Sequence, residues 1–93
     1  MEFTWDEENR KSNIAKHGLD FTLAKRIINA HDVIDVVGKK RYNGESRHLA
    51  YAILDGIKMC LCYVLREGKY RIISLRRVHN KEWRKVYEYE NIH

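Results

Sequence analysis

Five arginines near the ends of predicted β-strands have the chemistry of a phosphate site: Arg47, Arg66, Arg71, Arg76 and Arg77. A guanidinium presents coplanar, paired N–H donors that match the oxygens of a phosphate group. Three of the five flank an apolar, β-branched stretch that is typical of a strand, so this strand is cationic at both ends. The alternative is that these charges only keep the exposed ends of a sheet soluble.

Two tight turns predict how the arginines come together. The pairs at residues 55–56 (Asp-Gly) and 67–68 (Glu-Gly) each separate two apolar segments, as two-residue hairpin loops do. With these loops, Arg47 and Arg71 lie on strands that flank a central one, and their side chains share a face. We therefore expect both to converge with Arg66 at one end of an antiparallel meander.

The same registers divide the meander into two faces, because side chains alternate along a strand. One predicted face carries Arg47, Val64, Arg66, Lys69, Arg71, Ile73, Leu75 and Arg77. The other predicted face carries His48, Met59, Leu61, Tyr63, Ile72, Ser74 and Arg76. A slip of one residue reverses the assignment of a strand, so the grouping assumes uninterrupted pairing.

A second group with catalytic chemistry is Lys16-His17-Gly18, which places a cation and an imidazole together at a predicted helix end. Histidine is the side chain best suited to proton transfer near neutral pH. The alternative is an ordinary helix C-terminus, where glycine ends the helix and the cations interact with its dipole. The residues alone leave both interpretations open.

Neither a metal nor a cofactor is expected. The histidines at 17, 31, 48, 79 and 93 and the two cysteines lack the spacing of a structural zinc site. The chain also has no glycine-rich phosphate loop, nucleophile elbow or metalloprotease helix motif. Cys60 and Cys62 lie two apart in an apolar strand, which predicts reduced core residues on one face.

Composition narrows the class of protein. The 93 residues support a single domain over residues 1–93. A formal net charge of +5 and a pI near 9.3 suit a polyanion or an acidic protein partner, although scattered cations also serve solubility. The chain has no apolar run of bilayer length and no secretory signal, which predicts a cytoplasmic protein without membrane association.

Helix caps and hydrophobic periodicity predict the elements that position these groups. Asp6 and Gly18 delimit a first helix that can bury little beyond Ile14 and Ala15, so we expect it at the surface. The other predicted elements are a short strand at 3–5, a helix at 20–29, a strand at 33–37, a basic loop or strand connection at 38–46, strands at 49–54, 57–65 and 69–77, and a helix from Asn80 with an apolar stripe of Trp83, Val86 and Tyr87. The fold class is therefore α+β: an antiparallel meander with two N-terminal helices and one C-terminal helix.

Short motifs in a fixed order carry a family resemblance along nearly the whole chain. They are Phe3-x-Trp5-Asp6, Asn13-x-x-Lys16-His17-Gly18-Leu19-x-Phe21-x-x-Ala24, Gly44-Glu45-x-Arg47, Tyr63-x-x-Arg66, Arg71-Ile72-Ile73-Ser74-x-Arg76-Arg77, and Glu82 with Tyr87. In this order and spacing the chain resembles the BrnT family of type II toxins, in the RelE-like ribonuclease group. It departs from the family at three positions, with Val64 in place of threonine, Leu75 in place of alanine, and Val78 where alanine is common.

The resemblance implies a RelE-like fold and a toxin that cleaves RNA, inhibits translation and is neutralised by a BrnA-type antitoxin. That antitoxin would carry a ribbon-helix-helix domain, so the toxin would contact DNA only through the complex. Attack by the RNA 2′-hydroxyl requires no metal. The catalytic candidates are Arg66, Arg76, Lys16 and His17, and the RNA-binding candidates are Arg47, Arg71, Arg77, Tyr63 and Ser74.

Two alternatives accompany this interpretation. Tyr63 could stack on a base or donate a proton, or it could be a core residue. The missing threonine hydroxyl at Val64 also favours a second hypothesis, in which the chain is a non-catalytic basic module that binds RNA or the antitoxin with little toxicity. Single arginine substitutions distinguish an enzyme from a binder, because in an enzyme they reduce turnover far more than affinity.

Overall fold

The computed structural model describes the backbone of residues 1–92 and the side chains of residues 1–90. Its elements are β1 (Phe3–Trp5), α1 (Glu7–His17), a 3-10 turn (Phe21–Leu23) leading into α2 (Ala24–Ile28), β2 (Ile34–Tyr42), β3 (Glu45–Leu54), β4 (Ile57–Arg66), β5 (Lys69–Arg77) and α3 (Asn80–Ile92). The predicted α+β class is confirmed. None of the helices in this part of the chain is both long and apolar enough to cross a membrane.

The five strands form one sheet in the order β1-β5-β4-β3-β2. Strands β2 to β5 are an antiparallel meander, but β1 pairs with β5 in parallel. The prediction of a wholly antiparallel sheet is therefore wrong at this edge. The chain between β1 and β5 is long enough to return the backbone in the parallel direction, which a tight turn cannot do.

A third hairpin replaces the predicted basic loop. β2 continues through Gly38 to Tyr42, and β3 begins at Glu45 after a turn with φ of 49° at Asn43 and 80° at Gly44. Asn-Gly is the preferred pair for a two-residue hairpin turn with both φ values positive. The predicted turns at residues 55–56 and 67–68 have the same positive-φ geometry and are confirmed.

A β-bulge in β5 changes which side chains share a face. Val64 lies opposite Arg71 as predicted, and Tyr63 lies opposite Ile72, but Cys62 lies opposite Ser74, so Ile73 is an extra residue. A bulge of this kind inserts one residue into one strand and reverses the alternation beyond it. The predicted faces are therefore wrong from residue 73 onward.

After the bulge, Ser74 and Arg76 join the face of Cys60 and Cys62. Leu75 instead joins the face of Leu61 and Tyr63, where it is fully buried. Arg77 follows Leu75 onto that face. The bulge thus places Arg76 and Arg77 on opposite faces of the sheet.

The sheet separates two apolar clusters. The α1/α2 face packs the larger one, which includes Phe21, Ile27, Leu61, Ile72 and Leu75, each fully buried. The α3 face packs a smaller one, which consists of Tyr51, Cys60 and Val78 with partly buried Ile34, Val36, Leu49, Trp83 and Val86. Both cysteines are buried on this face, as predicted. Tyr87 is 55% exposed, so its predicted place in the α3 apolar stripe is wrong.

Both predicted caps of α1 are confirmed. The Asp6 carboxylate accepts hydrogen bonds from the backbone N–H groups of Glu8 at 2.8 Å and Asn9 at 3.1 Å. Gly18 ends the helix with φ of 69°, and its N–H donates to the Ile14 carbonyl at 2.8 Å. These bonds satisfy backbone groups that a helix end leaves unpaired.

The residue that α1 buries is Asn13, and not the predicted Ile14, which is 37% exposed. The Asn13 amide donates to the carbonyls of Leu19 at 2.9 Å and Leu75 at 2.8 Å, and its oxygen accepts from the N–H of Leu75 at 3.1 Å. Leu75 lies just past the point where β1 stops pairing with β5. The carboxamide therefore serves the β5 backbone as a neighbouring strand would.

Replacing Asn13 by alanine should lower the free energy of unfolding by about 3 kcal/mol, because three buried backbone groups lose a partner at once. Alanine has the higher intrinsic helix preference, so the loss would come from these bonds and not from α1 itself. Urea titration followed by circular dichroism measures the difference. Lys11→Ala, at an exposed position of α1, is the control, and equal stability of the two variants would contradict the assignment.

Candidate functional site

A cavity of about 390 Å³ opens on the α3 face between β2 and β5. We call it the arginine cavity; its polar lining residues are Lys39, Lys40, Arg47, Ser74 and Arg76. Leu49, Cys60 and Cys62 line it too, and Gly38 completes the wall. Four of its lining residues are cationic and none is acidic, so the cavity favours an anion.

Local backbone geometry gives the cavity its shape. A Cβ at Gly38 would lie 3.2 Å from the carbonyl oxygen of Arg47, so any other residue there would force β2 and β3 apart by a few tenths of an ångström. The β2–β3 register then shifts between Val37 and Arg41, in the segment that carries the two cavity lysines. On the other side, the bulge in β5 turns Ser74 and Arg76 toward the same space.

Arg47 has an unused hydrogen-bond donor inside the protein. Its Nε atom is buried and has no hydrogen-bond partner among the described residues. Its guanidinium carbon lies 5.9 Å from the centre of the Tyr42 ring, at the distance of a cation–π contact. A buried donor without an acceptor is unfavourable by about 1–3 kcal/mol, so an anion that accepts this bond would gain that energy.

Arg76 is held in place by a carboxylate of α3. Its two terminal nitrogens donate to the two oxygens of Glu82 at 2.9 and 2.8 Å, and the Tyr51 hydroxyl donates to the same carboxylate at 2.8 Å. The hydrogen bonds from Arg76 lower the pKa of Glu82, and the same pairing raises the pKa of Arg76. A guanidinium has five N–H groups, so this pairing fixes Arg76 and leaves donors for a ligand.

The floor of the cavity is uncharged at neutral pH. Burial raises the pKa of the Cys60 thiol to about 11 and also raises the pKa of Cys62. Nucleophilic chemistry requires a thiolate, so neither cysteine is activated in this environment. The two cysteines at the floor of the cavity therefore carry no negative charge that would offset its cations.

Lys16 and His17 line a second cavity of about 290 Å³, which we call the histidine cavity. It lies between α1, the bulge of β5 and the end of β2, with Asn9, Ser12, Asn13, Tyr42, Ile73 and Ser74 as its other lining residues. Ser74 lines both cavities. Members of the predicted arginine group and the predicted Lys16-His17 group therefore line two cavities that share one residue, Ser74.

Arg66 lies outside both cavities and is paired with a carboxylate. Its Nε and one terminal nitrogen donate to Glu45 Oε1 at 3.1 and 2.6 Å. This pairing lowers the pKa of Glu45 and raises that of Arg66. Because Glu45 is the first residue of β3, the pair fastens the end of the β2–β3 hairpin to the end of β4.

Three other predicted site residues also lie outside the arginine cavity. Arg77 donates to the His17 carbonyl at 2.6 Å, which fixes the end of α1. Arg71 is partly exposed on β5, opposite Val64. Tyr63 is 3% exposed; its hydroxyl donates to Asp35, its ring stacks on His48 at 5.0 Å, and burial raises its pKa. Of the alternatives for Tyr63, the structure shows the core position.

Four residues of the site were missed by sequence reasoning: Lys39, Lys40, Tyr42 and Glu82. The first three lie in the segment interpreted as a loop, and the Asn-Gly pair that follows them was the available signal for a hairpin. Glu82 was noticed only as part of the closing helix. Its pairing with Arg76, six residues earlier across the strand-to-helix junction, had no sequence signal of its own.

The Arg76–Glu82 pair should make stability depend on pH. Because Arg76 holds the pKa of Glu82 below its ordinary 4.5, this contribution is present above pH 4.5 and is lost as the pH falls through the lowered value. With both side chains partly exposed, Glu82→Gln should lower the free energy of unfolding at pH 7 by about 1 kcal/mol. Denaturant titrations from pH 7 to 3 should show the difference from wild type narrowing. Glu88→Gln on the exposed side of α3 is the control, and a gap that is constant with pH would contradict the pairing.

Comparisons with known proteins identify the family. A search of curated proteins finds no match. The family model described as "Ribonuclease toxin, BrnT, of type II toxin-antitoxin system" matches residues 5–82, which include every lining residue of both cavities together with Glu45 and Glu82. The resemblance drawn from the short motifs is thereby confirmed, and the chain belongs to the BrnT family of ribonuclease toxins of type II toxin–antitoxin systems.

Proposed function

We propose that this chain is a RelE-like, metal-independent endoribonuclease that cleaves RNA by attack of the 2′-hydroxyl on the adjacent phosphate, and so inhibits translation. The observation that carries the proposal is the arginine cavity, which Arg47 lines together with three further cations while its own buried Nε lacks an acceptor. A phosphate oxygen is the acceptor that fits both the charge and the geometry of this donor.

Arg47 and Arg76 would bind the scissile phosphate, where the RNA strand is cut. The transition state places extra negative charge on the non-bridging oxygens, and fixed donors in a partly buried site stabilise such charge strongly. Arg76 is already oriented by Glu82, so it would not need to reorganise during the reaction. Lys39 and Lys40 would add positive charge along the neighbouring phosphates.

Lys16 and His17 are the candidates for proton transfer. In this reaction the O2′–P bond forms as the P–O5′ bond breaks, one group takes the proton of the 2′-hydroxyl, and another gives a proton to the leaving 5′-oxygen. The products are a 2′,3′-cyclic phosphate and a 5′-hydroxyl end. The histidine cavity adjoins the arginine cavity at Ser74, which supports giving this role to Lys16 and His17.

Type II family membership implies an antitoxin partner. We propose a BrnA-type antitoxin with a ribbon-helix-helix domain that would bring DNA binding to the complex, in the cytoplasm. The net charge of +5 suits an acidic segment of such a partner.

Cleavage of a defined single-stranded RNA by purified protein in EDTA tests the proposal. Wild type should produce cyclic-phosphate ends, and Arg76→Ala or Arg47→Ala should each reduce the rate by about a hundredfold or more, as loss of a transition-state donor does. Arg26→Ala is the control. It removes the same charge from α2, where Arg26 forms an exposed pair with Asp55.

Three results would contradict this proposal. One is cleavage that persists unchanged in both cavity variants, and another is a strict requirement for a divalent metal. The third is salt-dependent RNA binding without cleavage, in which each lost arginine lowers the salt slope by about one unit. That last pattern would establish the alternative, a basic binding module.

Arg66 is assigned a positioning role because it lies outside both cavities, where Glu45 holds its guanidinium. Arg66→Ala and Glu45→Gln should then lower kcat/KM by the same modest factor, about fivefold or less, since an exposed pair contributes little. The double variant should be no worse than either single one. Steady-state kinetics on the same RNA measures all three, and a severe loss in Arg66→Ala alone would show instead that Arg66 contacts the phosphate.

A further inference from the structure

We infer that Tyr42 is a stacking platform for a nucleobase beside the scissile phosphate, which makes an unpaired stretch of RNA the substrate class. The inference rests on the proposed ribonuclease function and adds a base-binding residue to the same site. Neither the family match nor the short motifs include Tyr42 among candidate residues. It follows from where the β2–β3 hairpin places this ring.

Tyr42 is the last residue of β2 and lies opposite Glu45 across the Asn43-Gly44 turn. The pairing of Glu45 with Arg66 fixes this end of the hairpin over β4. The Tyr42 ring consequently lines the histidine cavity, where Lys16, His17 and Ser74 also lie. An aromatic ring is thus held in the cavity that contains the proposed proton-transfer groups.

Core packing does not account for an aromatic residue at this position. Tyr42 belongs to neither apolar cluster, and it is only partly buried. Its hydroxyl makes no hydrogen bond to the residues that the structure describes. Its ring contacts Arg47, whose guanidinium carbon lies 5.9 Å from the ring centre.

Arg47 links the ring to the phosphate site. Arg47, which contacts Tyr42, also lines the arginine cavity, and its Nε is buried and unpartnered. A nucleotide whose phosphate accepts from Arg47 would therefore have its base next to Tyr42, on the side of Ser74 and Lys16. Arg47 contacts one face of the ring and so orients it, and a base would stack on the opposite face.

This arrangement selects the substrate by its conformation. A base can stack on a protein ring only when it leaves its neighbours, which single strands and loops allow and a continuous duplex does not. Every base has a π face, so Tyr42 should favour unpaired RNA without strong preference for one base. Stacking on the ring should strengthen binding by roughly tenfold to a hundredfold.

The test compares Tyr42→Leu, which has an apolar side chain of moderate size but no ring, with Tyr42→Phe, which retains the ring. On a single-stranded RNA with one cleavage site, Tyr42→Leu should raise KM by roughly tenfold or more, while Tyr42→Phe stays near wild type. Tyr87→Leu, on the exposed side of α3, is the control for loss of a tyrosine. Circular dichroism confirms that each variant is folded.

Abasic substitution locates the effect. One base at a time is removed from the nucleotides flanking the cleavage site, and at one position the wild-type KM should rise to that of Tyr42→Leu while the KM of the variant is unchanged. A Tyr42→Leu defect that is equal on every abasic substrate would show a purely structural role and overturn the inference. Unchanged KM in Tyr42→Leu would overturn it as well.

Equilibrium binding separates this inference from the ribonuclease proposal. If wild type does not cleave RNA, the affinities of a fluorescent single strand, its abasic derivative and a duplex are measured at one salt concentration. Weaker binding of the single strand to Tyr42→Leu, with no further loss on the abasic strand, would retain the stacking site and reject the catalysis. Equal affinity of wild type and Tyr42→Leu, or no RNA binding at all, would reject the stacking site.

Discussion

The extra residue in β5 is the constraint on which the rest of the structure depends. Without Ile73 as a bulge, the alternation of the strand would place Arg76 among the buried residues of the α1/α2 face and Leu75 toward α3. With it, Leu75 fills the larger core and Arg76 enters the arginine cavity. Asn13 hydrogen-bonds Leu75, two residues past the bulge, and so takes the place of a strand where β1 has ended. The buried asparagine and the exposed cationic site are consequences of one local irregularity.

Carboxylates divide the arginines into two kinds. Glu45 and Glu82 each engage one guanidinium through two of its nitrogens and fix it; the first pair joins the ends of β3 and β4 beyond their backbone pairing, and the second joins β5 to α3. Arg47 has no such partner, and its Nε is the buried polar side-chain atom that the described part of the chain leaves unsatisfied. The protein has a net charge of +5, and no carboxylate of the described residues accepts a hydrogen bond from the Nε of Arg47. The missing acceptor is what marks this position as the place for a ligand.

Local rules predicted much of the framework because the residues that determine it are adjacent in sequence. Asp6 and Gly18 cap α1 by backbone geometry alone, and the glycine turns set the hairpins and the β4–β5 register up to Ile72. The bulge could not be predicted, since Ile73 has the same type and spacing as any strand residue. The segment from Gly38 to Tyr42 did have a signal for a hairpin strand, namely the Asn-Gly pair that follows it. Its lysines outweighed that signal, and the segment was predicted not to be a strand.

The candidate site, too, was predictable from the sequence only in part. Residue type identified the arginines and Lys16-His17 as the groups with relevant chemistry, but which arginines are engaged depends on carboxylates supplied by other elements. Arg66 and Glu45 are 21 residues apart and meet only after the β3–β4 hairpin has closed. Local sequence therefore predicts the inventory of a site, and long-range pairing decides the role of each member.

The concentration of positive charge in the arginine cavity also couples the site to the stability of the fold. Four cations around one space repel one another, and Glu82 compensates only Arg76. The protein tolerates this repulsion because the sheet, the bulge in β5 and the Glu45–Arg66 ion pair hold the β2–β3 hairpin and β5 in place. An anion bound between Arg47 and Arg76 would remove the repulsion and satisfy the buried Nε, so it would bind the folded chain in preference to the unfolded one. The same unsatisfied donor that identifies the site thus makes its occupation stabilising.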